Sequence, residues 1–100
     1  MPKFAAVITF APDTERRLKV RPTHREYLQT LLDQGKLYES GPWTDDEGAL
    51  LIYEVADEAE ARELLANDPY TEHGIIADAA IHGWNMVFKQ EKEAPSQRLT

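Results

Sequence analysis

The stretch "ALLIYEV", Ala49 to Val55, constrains the fold more than any other part of the chain. A strand with one wet face alternates apolar and polar residues. This one does not: Leu50 and Ile52 point one way, and Leu51, Tyr53 and Val55 point the other. The opening strand signal repeats the pattern, with Phe4, Ile8 and Phe10 on one side and Val7 on the opposite side. Such a sheet needs cover on both faces. The remaining helical patterns can cover only one of them.

Those patterns place the helices. "VRPTHREYLQTLLDQG" carries His24, Tyr27, Leu28, Leu31 and Leu32 at helical spacing. Asp13 is the expected N-cap of a preceding helical segment, "TERRLKV". Proline disfavours helical geometry at the residue before it, so a break or kink is expected at Arg21. The main helix then runs from Pro22 to about Gln34, with Gly35 in the left-handed position past its end. "KLYESGPWT" reads as the second strand and "TDDEG" as a polar turn. Asp57 caps the next helix, with Glu60 as its capping-box partner. "NDPY" ends that helix, and "IIADAAIHGWNMVF" reads as the fourth strand.

The order is β-α-β-β-α-β. It predicts an α+β, ferredoxin-like fold, with a four-stranded antiparallel sheet and two helices on one face. The second apolar face predicts a homodimer with the sheets packed face to face. Residues 1–88 form the expected domain. "KQEKEAPSQRLT", from Lys89, is a polar tail expected to be mobile.

Composition narrows the function. Eighteen acids against eleven bases give a formal net charge of -7. Such a surface repels phosphate backbones, so no nucleic-acid partner is expected. The chain has no cysteine, which removes thiolate catalysis and disulfides. No apolar run approaches the roughly 20 residues that span a bilayer, and no signal-peptide pattern opens the chain. The expectation is a soluble cytoplasmic protein with no membrane partner.

His24 is the leading candidate for chemistry. The pattern puts it on the inward face of the first turn of the main helix, where the positive helix end disfavours imidazolium and a nearby carboxylate would favour it. A core histidine bonded to backbone is the alternative reading. Asp68, before Pro69, has the signature of a cap on a short helical turn. A carboxylate has two oxygens, so it can cap a turn and also accept from a histidine. Ser40, Gly41, Pro42 and Trp43 close a strand where a hydroxyl and backbone donors could meet a ligand, or simply satisfy a turn. Tyr27, Trp43 and Tyr70 could line a cleft. Asp45, Asp46 and Glu47 read as a solvated turn; no metal site and no cofactor is expected from any spacing.

The segments "RLKVRPTHREYLQTLLDQGKLYESGP", "GALLIYEV" and "ANDPYTEHGIIADAAIHGWN" together resemble the YCII family. The resemblance runs from Lys3 to Phe88. It implies a ferredoxin-like domain dimerised through its sheets into a dimeric α+β barrel. It also implies a His–Asp active-site pair, matched here by His24 and Asp68. At "IHGWN", His82 and Gly83 depart from a basic residue and proline common in the family. Assigned reactions in the family are dehydrochlorinase-like, and related dimeric barrels include lactone isomerases and monooxygenases. The expected function is acid–base chemistry on a small molecule, of lyase, isomerase or dehydrochlorinase type. A non-enzymatic module that binds a small ligand is the alternative.

Overall fold

In the computed structural model, which describes residues 1–90, the elements are β1 (Lys3–Phe10), α1 (Thr14–Asp33), β2 (Leu37–Pro42), β3 (Gly48–Glu54), α2 (Glu58–Ala66), α3 (Pro69–Glu72) and β4 (Ile76–Trp84). The four strands form one antiparallel sheet in the order β2-β3-β1-β4. This is the ferredoxin-like α+β arrangement. The polar tail expected from Lys89 lies, from residue 91 on, outside the described residues.

Strand pairing sets the two faces. In β1, Ala6 and Ile8 pair with Leu51 and Ala49 of β3 and with Ile81 and Ala79 of β4. Ala6, Ile8, Leu51 and Tyr53 are buried in the core with Leu31 of α1 and with Ala61, Leu64 and Leu65 of α2. The opposite face carries Val7, Leu50 and Ile52, as the two-faced pattern of "ALLIYEV" requires. Val7 and Trp84 remain 38% and 43% exposed there. The fourth strand ends at Trp84, four residues earlier than its apolar run suggested.

α1 corrects one expectation. It is a single helix of 20 residues with Pro22 inside it, not a short helix broken before a longer one. An interior proline removes the hydrogen bond to the carbonyl four residues back, here that of Leu18. Both Leu18 and Pro22 lie on the exposed side, so water can meet that carbonyl. The termini follow the sequence. The Asp13 side chain accepts from the Arg16 amide. At the other end Gly35 takes φ +76, and the Lys36 and Gly35 amides donate to the carbonyls of Leu31 and Leu32. α2 starts at the expected Asp57 cap, whose side chain accepts from the Glu60 amide, whereas Glu60 reaches one residue past the cap and accepts from the Ala56 amide, not from Asp57 as in a capping box.

Gly48 is a close-approach glycine. A Cβ there would collide with the Ile8 carbonyl oxygen and press on the Trp43 indole. The obstacle is backbone inside a sheet, which cannot swing away. Gly48→Ala should cost about 1–3 kcal/mol or more, read as a lower midpoint in urea denaturation. An unchanged midpoint would show that β1 and β3 can part without loss.

Candidate active site

Three α1 side chains are buried: Arg17, His24 and Leu31. They are seven residues apart, two helical turns, so they form one inward stripe. Two of the three are polar. Each inward polar side chain has a carboxylate partner, Asp46 for Arg17 and Asp68 for His24.

His24 is the eleventh residue of α1, not a first-turn residue as the expected break at Pro22 implied. The helix end therefore does not govern it, since that field fades within the first turn. Its partner does. His24 Nδ1 lies 2.7 Å from Asp68 Oδ1, with both groups buried. Asp68 Oδ1 also accepts from the Tyr70 amide at 2.9 Å, as N-cap of α3. One carboxylate oxygen thus serves cap and histidine together. A carboxylate only accepts, so Nδ1–H donates, and in the neutral imidazole the lone pair is then on Nε2. The Tyr70 ring stacks on the imidazole, with centroids 3.7 Å apart and planes 1° from parallel. Phe10 meets Tyr70 edge-on at 5.8 Å. The ring is fixed by a hydrogen bond on one edge and an aromatic plate on one face.

His24 opens onto a cleft of about 350 Å³ between α1 and the edge strand β2. Leu28, Leu37 and Leu51 give it an apolar floor, and Ser40, Gly41 and Pro42 form its β2 wall. Tyr70 also lines it, whereas Tyr27 and Trp43 do not. The Tyr27 hydroxyl donates to the Leu64 carbonyl at 2.6 Å, which ties α1 to α2 instead. Trp43 lies against Gly48. Asp68 stands behind His24, away from the cleft walls.

The cleft also holds residues that sequence reasoning missed: Arg17, Arg21 and Arg25, one turn apart along α1. Their spacing of four, in step with His24, was a readable signal in a chain of net charge -7. Arg17 is buried and makes two bonds to Asp46 of the β2–β3 loop, at 2.8 and 3.2 Å. Its guanidinium also lies 4.4 Å from the Phe10 ring centroid. Hydrogen bonding to Arg17 holds the Asp46 carboxyl below its ordinary range. The turn read as merely solvated therefore sends one acid to the mouth of the cleft.

The phenols around the site stay protonated. Burial pushes Tyr27 up to about 12, helped by Asp68 and Glu63. Burial also raises Tyr53, helped by Asp68. Tyr70 is raised by burial although Arg17, Arg21 and Arg25 oppose the shift. Among the described residues no group of three His, Cys, Asp or Glu side chains is placed to hold a metal, and no helix is long and apolar enough to cross a membrane.

Comparisons with known proteins agree with this architecture. The model of the YCII-related domain matches residues 2–85. Protein YciI of Escherichia coli O6:H1 is 32% identical, with 78% of this chain and 90% of that protein covered. The derivative of benzaldehyde biosynthesis cluster protein C of Emericella nidulans is 30% identical, covering 67% of this chain and 80% of the other. Among solved structures, 5-chloro-2-hydroxyhydroquinone dehydrochlorinase (TftG) from Burkholderia phenoliruptrix AC1100, in complex with 2,5-dihydroxybenzoquinone, superposes with a TM-score of 0.71 at 27% identity, covering 91% of this chain and 97% of that one. A domain match over residues 2–85, most of the chain, makes this protein a member of the YCII family.

Proposed function

We propose that this protein is a small-molecule enzyme in which His24 moves a proton and Asp68 holds its ring. The observation that carries the reading is the 2.7 Å contact between His24 Nδ1 and Asp68 Oδ1. It commits one ring nitrogen to a buried carboxylate and leaves Nε2 as the nitrogen able to meet a ligand in the cleft. In the proposed step Nε2 takes a proton from the substrate and the freed electron pair moves into the ring system. Either a leaving group departs with its own electron pair, or the proton returns at another carbon. The carboxylate stabilises the imidazolium formed on the way. The dehydrochlorination named for TftG is a reaction of the first kind, and its ligand is a small ring of the size this cleft admits.

The test is a turnover screen of chlorinated and unchlorinated hydroxyquinols, followed by chloride release and by mass spectrometry of products. Conversion by the wild type, lost in His24→Ala, supports the enzyme. Tight binding of a compound recovered unchanged supports a ligand-binding module instead.

The sheet face opposite the helices supports a homodimer, with Val7 and Trp84 partly exposed on it. Covering that face with a second copy buries them from water. Sedimentation equilibrium should give twice the chain mass at micromolar concentration. A monomer there rejects the assembly.

A further inference from the structure

We infer that the cleft takes a small organic anion, an apolar or aromatic body with ionised oxygens, and that Arg21 and Arg25 hold its charge beside His24. The inference rests on the proposed active site only for the location of the chemistry; the binding claim stands separately.

The arginines are arranged against their own interest. Like charges four residues apart on a helix repel, and α1 stacks three of them at 17, 21 and 25. Only the first is bonded to a carboxylate: Arg17 carries the Asp46 carboxylate on both terminal nitrogens. Among the described residues no ion pair or hydrogen bond holds Arg21 or Arg25, yet both line the cleft. Asp68, which sits behind His24, is not a cleft wall. Asp46 also acts through space on Arg21, but one carboxylate meets three guanidiniums along this wall, so positive charge is in excess in the cleft of a protein whose net charge is -7. A guanidinium binds planar oxygen anions through paired N–H donors. The leucine floor opposite them suits an apolar ligand body more than a free inorganic ion.

Charge placement also suits the proton transfer. An enolate or phenolate formed when His24 removes a proton would gain from cations already in place. The Arg17–Asp46 pair shows within the same cleft how a carboxylate seats on an arginine of this row.

The probes are 2,5-dihydroxybenzoquinone, benzoate and uncharged benzamide, titrated calorimetrically against the full chain. Both acids should bind, benzamide should bind at least about tenfold more weakly than benzoate, and added salt should weaken the acids only. Arg21→Ala and Arg25→Ala should each weaken the acids about tenfold, with Arg25→Lys recovering part of the loss. Arg25 is exposed, so Arg25→Glu remains informative if Arg21→Ala fails to fold. His24→Ala should keep anion binding while losing turnover, which separates this inference from the acid–base reading. Benzoate and benzamide binding alike, arginine variants binding like the wild type, or neither acid binding at millimolar concentration would each overturn it.

Discussion

His24→Ala is expected to lower kcat/KM by about 10²–10⁴ with its substrate, the range typical of losing a positioned acid–base group. The loss should fall on kcat, because the imidazole acts in the transition state and the leucine floor and arginines supply ground-state binding. Fold should survive. Asp68 Oδ1 keeps the Tyr70 amide when the imidazole is removed, so the cap of α3 remains. No neighbouring phenol can replace the ring, since burial holds Tyr27, Tyr53 and Tyr70 protonated. Steady-state kinetics on the compound found by screening, with circular dichroism on the same sample, check both halves. An active, folded His24→Ala removes His24 from the mechanism.

The second large effect is at Asp68, where two substitutions should part company. Asp68→Ala removes the acceptor for both the Tyr70 amide and the His24 ring, in a position only 1% exposed. Loss of the cap and a stranded buried donor should cost about 1–3 kcal/mol of stability. Asp68→Asn keeps an oxygen able to accept from both donors while it removes the charge and turns the other oxygen into an amide nitrogen. It should retain more stability than the alanine variant while losing much of the activity, because a neutral amide stabilises imidazolium less than a carboxylate. Asn brings one strain of its own: Oδ2 is buried without a partner, and an amide nitrogen there would be stranded too. Thermal unfolding and turnover of the two variants decide the matter. Full activity in Asp68→Asn would reduce Asp68 to a cap.

The sequence by itself determined the fold. The order of elements followed from where the apolar runs fall, and helix limits from Asp13, Gly35 and Asp57, whose side-chain or backbone chemistry acts within a few residues. The two-faced apolar pattern was legible in "ALLIYEV" and in the first strand, because side-chain period in a strand is local. His24 and Asp68 were legible as candidates, helped by family resemblance, but their contact spans 44 positions and no local pattern encodes it.

Other features were decided only by tertiary structure. Pro22 should break a helix by its local rule, yet α1 runs through it, since its exposed side gives the freed carbonyl to water and packing holds the rest. That continuity moved His24 from the helix end to its middle and replaced a dipole argument with a carboxylate partner. Tyr27 became a strut to Leu64, and Trp43 went to Gly48, because a side chain's destination depends on which elements meet. Asp46, one acid in a run of three, reached Arg17 only because the β2–β3 loop folds back over α1. Long-range contacts of this kind arise from how the layers close on one another, and that geometry is written in no single stretch of the chain.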